Sequence, residues 1–395
     1  MSTLRHENPH YEQHAYWSGV LAMTLCVFVL IASEFMPVSL LTPVAADLRV
    51  SEGLAGQGIA ISGALAVLTS LSLSTLAGNL HRKYLLLGMT ALMALSATMV
   101  ALSPCYLIYM AGRALIGIAI GGFWSMSAAT ALRLVPRHRV PHALAIFNGG
   151  NALATVIAAP LGSYLGAVMG WRGAFLCLVP VAIVAFIWQC FSLPAMAPDN
   201  SRRPGRSAFH LLSRPVVAVG LLACGLFFMG QFSLFTYVRP FLETVTRVDI
   251  STLSLILLTI GIAGFIGTLA ISHFLKRGLY STLAAISSLM AVVTVTLILT
   301  GQHLGFVVPL LGFWGLMATA APTGWWAWIA RTLPDDAEAG GGLMVAVIQL
   351  SIALGSTLGG LTFDHTGWQS TFALSGGLLM VAAGLTILTS RQTHH

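Results

Sequence analysis

The sequence predicts an all-α membrane protein of twelve transmembrane helices arranged as two pseudo-symmetric six-helix bundles. Three observations lead there. Of its 395 residues, 57% are hydrophobic and 8% charged, a balance that a water-soluble fold of this size does not sustain. The apolar residues fall in runs of about 20, the length a helix needs to cross a hydrocarbon layer of roughly 30 Å, whereas barrel strands would show shorter alternating segments. The longest polar interruption, LPAMAPDNSRRPGRSAFHLLS at 194–214, divides the runs six and six.

In chain order, residues 1–16 are a polar tail in which His6, His10 and His14 are separated by Pro9, so they read as solvated residues rather than a stacked cluster. The first run, 17–43, is too long for a signal-peptide core and no small-residue cleavage site follows it, so it is expected to stay as a span. Further spans are predicted near 53–78, 84–102, 105–132, 141–167 and 172–193, completing an N-terminal bundle at 17–193. After the linker at 194–214, spans near 215–240, 251–272, 281–300, 304–330, 342–362 and 369–389 form a second bundle at 215–390, with a short tail at 391–395. Forty glycines suit such bundles, because small residues let membrane helices approach closely.

Basic residues give the orientation. With both termini on one side, that side holds Arg5, Arg82, Lys83, Arg133, Arg137, Arg139, Arg202, Arg203, Arg206, Arg214, Lys276, Arg277, Arg331 and Arg391, while the opposite side has Arg49, Arg172, Arg239 and Arg247. The asymmetry predicts cytoplasmic termini and explains the net charge of +7 as a topology signal rather than a nucleic-acid surface.

The two bundles read as a duplication. Gly170-Trp171-Arg172-Gly173-Ala174-Phe175 reappears 197 residues later as Gly367-Trp368-Gln369-Ser370-Thr371-Phe372, and the same offset pairs Glu34-Phe35 with Gln231-Phe232 and Pro43 with Pro240. An offset of 198 pairs Arg133 and Pro136 with Arg331 and Pro334. Duplicated halves place a binding site at their interface near the bilayer midplane, with alternating access by one bundle rocking on the other.

Glu34 is the one carboxylate deep inside an apolar run, and Arg113 the one basic residue so placed. An ionisable group at membrane depth costs several kcal/mol if left bare, so it faces water or a partner and commonly belongs to an ion pathway. Counting about 1.5 Å per residue from the run ends puts both roughly 12–14 Å deep, where they could meet. Protonation of Glu34 would then release Arg113 and favour one access state; the plainer reading is a static ion pair that fixes packing. Because neutral Gln231 stands where the first half has Glu34, proton handling is expected in one half.

Arg113, Gly117, Ile120 or Gly121, and Trp124 share one face of the fourth span, which would look into a cavity. Phe35 adjoins Glu34, Gln231 and Phe235 stand on the seventh span, Trp325 on the tenth, Asn148 and Asn151 on the fifth and Gln349 on the eleventh. Amides and aromatic faces suit an uncharged, polar, flat solute, although any one of them could equally be interhelical glue. Pro160 and Gly162 give the fifth span a bend or a close contact. Arg82 and Lys83 could meet Asp335, Asp336 and Glu338 when that end closes, through exposed and therefore weak pairs.

Other chemistries are excluded by what the spans lack. No histidine lies mid-span, which leaves no bis-His haem and no intramembrane Ser-His dyad. A single membrane carboxylate cannot make an aspartic dyad, and Lys83 and Lys276 lack a phosphate-loop context. Five cysteines without CxxC spacing predict neither disulfide nor metal site, and no cofactor is expected.

The six-plus-six repeat, Arg113 with Gly117, the Pro160 region and Gly170-Trp171-Arg172 resemble the major facilitator superfamily, in its drug/proton antiporter branch. More narrowly, Glu34-Phe35-Met36-Pro37-Val38-Ser39-Leu40-Leu41-Thr42-Pro43, Ser51-Glu52-Gly53-Leu54-Ala55-Gly56-Gln57, Gly121-Gly122-Phe123-Trp124-Ser125-Met126-Ser127, Phe235-Thr236-Tyr237-Val238-Arg239-Pro240 and Val345-Ala346-Val347-Ile348-Gln349-Leu350 are similar to the bacterial purine ribonucleoside efflux pumps. The sequence departs from the branch at His81, where an Asp is usual, and at Ala159, where Gly usually precedes Pro160. The resemblance implies an inner-membrane protein that exports inosine- or guanosine-like purine nucleosides in exchange for protons; sugar or drug efflux on the same scaffold, or a passive facilitator, are the alternatives, and a monomer is expected.

Overall fold

The computed structural model describes residues 16–76, 80–136, 139–196, 208–334 and 336–392. Among these there is no strand, and eleven stretches are long and apolar enough to cross a membrane. One of them, Gly149–Ser192, is 44 residues long and folds back at Gly170, so the chain makes twelve crossings. The spans are Trp17–Ser39, Glu52–Leu76, Arg82–Ala101, Tyr106–Leu134, 140–169, 171–192, Pro215–Phe235, Ile250–Arg277, Leu279–Thr300, Leu304–Thr332, Ala337–Thr366 and Trp368–Gln392.

The first and seventh spans stop earlier than the apolar runs suggest, and they stop the same way. Leu40 (φ −118°, ψ 10°) and Tyr237 (φ −107°, ψ 15°), 197 residues apart, leave the helical basin, each giving its N–H to the carbonyl three residues back, Pro37 and Leu234. Pro37 near the end of the first span supplies no amide hydrogen, which weakens the last turn. Short helices, Leu41–Leu48 and Val238–Phe241, then carry the chain on.

Backbone conformation repeats elsewhere at the same spacing. Among the described residues, positive φ occurs at Gly170 (78°) and Gly367 (91°), 197 apart, and at Arg49 (56°) and Arg247 (59°), 198 apart. Packing follows suit. The first span lies on the fifth and sixth, the second on the fourth and the third on the sixth; the seventh lies on the eleventh and twelfth, the eighth on the tenth and the ninth on the twelfth. A Cβ added to Gly117 would sit 2.3 Å from the Ser62 carbonyl oxygen, and one added to Gly315 would sit 2.3 Å from that of Ile260, again 198 residues away. With no hydrophobic drive between helices in lipid, such backbone-to-backbone approach supplies the dispersion contacts that hold each bundle.

The halves meet where the second span packs on the eleventh and the fifth on the eighth. This seam has a linker end, near residues 194–196 and 208–214, and a far end, near the turns at Arg49, Gly170, Arg247 and Gly367.

Candidate functional site

At the far end the seam is stitched by side chains. Ser51 Oγ and the Gly53 amide, at the start of the second span, both donate to the Asp364 carboxylate of the eleventh span, the amide at 3.0 Å. Thr357 Oγ donates to Gln57 Oε1 (3.0 Å), Ser254 Oγ to Ser163 Oγ (2.9 Å), and Arg239 to the Ser39 carbonyl while its Nε takes Glu243 at 2.7 Å. Nearby, within the N-terminal half, Arg172 pairs with Asp47, donates to Ser103 O and lies 4.2 Å over the Trp171 ring. The Arg172 hydrogen bond holds the Asp47 carboxyl below the usual carboxylate range.

Going inward, the bond of this series nearest the linker end is the one at Glu34. Glu34 is 7% exposed, and its Oε1 accepts from Gln349 Nε2 of the other half at 3.4 Å. The Gln349 backbone stands at the seam, for a Cβ on Gly63 would lie 2.7 Å from its carbonyl oxygen. Phe35, the next residue, stacks on Phe232 (6.1 Å) and meets Phe235 edge-on (6.4 Å), so an aromatic cluster joins the first and seventh spans beside the acid. Gln231 Oε1 and Gln349 Oε1 are both buried without a hydrogen-bond partner, which is costly unless a proton or solute completes them.

Arg113 departs from the expected direct pairing with Glu34. Its Nε donates to Gly58 O (3.1 Å), Nη1 to Ser33 O (2.7 Å) and Nη2 to Ser62 Oγ (3.3 Å), with 1% of the residue exposed. The guanidinium therefore ties the first, second and fourth spans together. It acts on Glu34 through space and through the preceding carbonyl, and Glu34's hydrogen-bond partner is an amide across the seam. The planar fork of five donors explains this choice: three fixed acceptors are satisfied at once.

Trp325 lies on the stripe Trp314, Ala318, Ala321, Trp325, Trp328, 2% exposed and edge-on to Trp328 within the C-terminal core, with its Nε1 buried without a hydrogen-bond partner. Trp124 is half-buried beside Phe123, and Asn151 is half-buried on the fifth span. Pro160 is buried mid-helix and Gly162 sits where a Cβ would lie 2.6 Å from Ser39 Oγ, so this stretch serves close packing of the fifth span on the first. At the linker end Lys83 donates to Cys190 O (2.8 Å) and Leu193 O (2.7 Å), Arg82 is buried with its amide on Met196 O, and Asp336 stands 4.0 Å from Arg214. Asp335 and the side chains of Asn148 and Glu338 lie outside the described residues, as do the tail histidines.

A family model described as Major Facilitator Superfamily matches residues 23–344. This chain belongs to the major facilitator superfamily. It is 64% identical over 390 residues to the "Transcription regulatory protein OpdE" of Pseudomonas aeruginosa strain PAO1, covering 98% of this chain and 96% of the relative. It is 41% identical over 367 residues to the "Purine ribonucleoside efflux pump NepI" of Salmonella typhimurium strain LT2, covering 93% and 92%. Solved superfamily structures share the fold: a D-xylose-proton symporter (TM-score 0.77, 15% identity, 94% of this chain and 97% of that one) and a point mutant of the nucleoside transporter NupG (TM-score 0.75, 13% identity, 94% and 99%). As a superfamily member this chain is a multi-pass membrane transporter and not an enzyme.

Asp364 has no signal in the sequence, and Ser51, Gly53 and Phe232, although they stand in a resemblance motif and in the repeat, carry none that points across the seam: the partner of Ser51 lies 313 residues on.

Proposed function

We propose that this transporter exports purine ribonucleosides of the inosine and guanosine type across a bacterial inner membrane in exchange for protons, with both termini in the cytoplasm and the far end facing outward. The observation that carries the reading is the Glu34–Gln349 contact across the seam. It puts the one deep membrane carboxylate at the innermost of the bonds that close the outer half, where a change of charge bears on whether the halves stay together. An ionised carboxylate there is sustained by one long amide hydrogen bond and by the charge of Arg113, and water reaching it from the linker end would take up or supply its proton. The 41% identity to a purine ribonucleoside efflux pump supports the solute class, and the Phe35–Phe232–Phe235 cluster beside unpartnered amide oxygens supports a flat solute with polar edges. Lys83 and Arg82 with Asp336 and its neighbours are the proposed closure of the linker end in the other access state.

The test is counterflow of labelled inosine into proteoliposomes, run alongside a panel of sugars and drugs with and without a proton gradient. Inosine accumulation against its gradient, driven by protons, is expected. Accumulation of a sugar or drug alone would reassign the solute, and equilibration without accumulation would make the protein a passive facilitator.

A second reading attaches to the 64% identity with a protein named for transcription regulation. A chain embedded in the bilayer, with basic residues spread through its loops, is poorly suited to reading DNA. Any effect on transcription would then run through the concentration of the solute moved, and would vanish together with proton-driven net export in a Glu34→Gln variant.

A further inference from the structure

Two side-chain amides of the C-terminal half, Gln349 and Gln231, each present a buried carbonyl oxygen with no hydrogen-bond donor. Among the described residues Gln349 Nε2 is the side-chain donor on Glu34, and Ser33 Oγ, on the preceding residue, is likewise buried without a partner. Arg113 directs its N–H groups to Ser33 O, Gly58 O and Ser62 Oγ. The groups that face Glu34 are otherwise neutral. Tyr109 stands beside Arg113 on the fourth span, Ser62 of the second span accepts from Arg113, the seventh span carries Gln231, and no charged residue occurs in the third span at 84–101, the fifth at 143–170 or the sixth at 175–192. What the site lacks is therefore supplied from outside: a proton, and a solute bearing N–H or O–H groups.

A carboxamide has nearly the same shape with its oxygen and nitrogen exchanged, and its last torsion turns through broad wells, so half a turn costs little. Facing a carboxylate, the amide must offer NH2, which leaves its oxygen free. Facing a protonated acid, it is better placed with the oxygen accepting the acid's O–H, which turns NH2 outward.

We propose that Gln349 is the residue that couples proton to solute: its amide turns with the charge on Glu34, so that the acid's proton and a donor group of the solute compete for one carbonyl oxygen. This deepens, and rests on, the reading of the chain as a proton-coupled nucleoside exporter. With Glu34 ionised, Gln349 Oε1 accepts from the solute, for example from the N1–H edge of inosine, and Gln231 Oε1 stands as a second acceptor for a nucleoside with a further amino group. When Glu34 takes a proton from water, the amide turns and opposes NH2 to the solute's own donor. The solute leaves, and the proton returns to water when the amide turns back. Exchange follows without contact between proton and solute.

The experiment uses the full chain in lipid nanodiscs. Infrared difference spectra between alkaline and acidic buffer are expected to show a side-chain amide band that shifts with the carboxyl signal, and that disappears both in Glu34→Gln and in Gln349→Met. In parallel, inosine should bind wild type more weakly as the buffer is acidified, by about three- to tenfold, the size of one hydrogen bond. N1-methylinosine, which lacks the donor, should bind with little dependence on pH, and Gln349→Met should bind both alike. Should Gln349→Met fail to fold, the wild-type and Glu34→Gln spectra and the two nucleosides still decide. A carboxyl signal with no accompanying amide shift, or pH-dependent inosine affinity retained in Gln349→Met, overturns the proposal. If the amide shift is present but inosine binds at no pH, the switch stands and the nucleoside reading falls; if inosine binds and the amide does not move, the reverse holds.

Discussion

At the scale of single residues, Arg113 shows how one side chain serves structure and chemistry together. Its three acceptors sit on two other spans at buried residues, so each lost bond leaves a buried polar group costing about 1–3 kcal/mol. Lysine offers three donors from a point rather than a planar fork and cannot serve all three positions. Arg113→Lys should therefore lower the melting temperature in detergent as well as transport; an unchanged melting temperature would show that the fork is not structural. Asp47 gives a pH-dependent case outside the membrane. Its carboxyl is held below the usual value by Arg172, so its contribution is complete above the ordinary Asp pKa of about 3.9 and is lost as pH falls through the lowered one. Both side chains are well exposed, so the effect is small. Asp47→Asn should flatten the fall in melting temperature on the acid side of that value and leave neutral-pH stability nearly unchanged.

At the scale of helices, the limiting feature is how closely backbones approach. Gly117→Val and Gly315→Val each place a Cβ 2.3 Å from a neighbouring carbonyl oxygen, an overlap that only separation of the helices relieves, so both should reduce folded protein in membranes severely. Gly88→Ala, which meets nothing within 4 Å, should be tolerated, and equal damage from all three would refute the close-approach argument. Helix number and the duplication were readable because hydropathy and recurring Gly-Trp and Pro positions are local patterns. The breaks at Leu40 and Tyr237 were not, because nothing in an apolar run shows where its last turn frays. Glu34 stood out by being an acid in hydrocarbon. Its contact with Gln349 did not, since a hydrogen bond across 315 residues leaves no periodicity, and spacing gave Trp325 a helix face but not the neighbour, Trp328, that packs on it.

For the whole molecule, the asymmetry of the seam is the functional statement. The far end is bonded through Asp364 to Ser51 and Gly53, through Gln57 to Thr357 and through Arg239 to Ser39, while at the linker end Lys83 and Asp336 are each engaged within their own half. A bundle that rocks must break the first set before it forms another. Ser51→Cys paired with Asp364→Cys should form a disulfide that arrests transport until it is reduced; continued transport by the oxidised pair would show that the far end need not open. The central claim is that Glu34 carries the proton exchanged for solute, and it is tested most directly by recording the internal pH of proteoliposomes when inosine is added outside. Wild-type protein should move protons against the inosine flux while Glu34→Gln exchanges labelled inosine without any pH change, and an undiminished proton signal in Glu34→Gln would contradict the account.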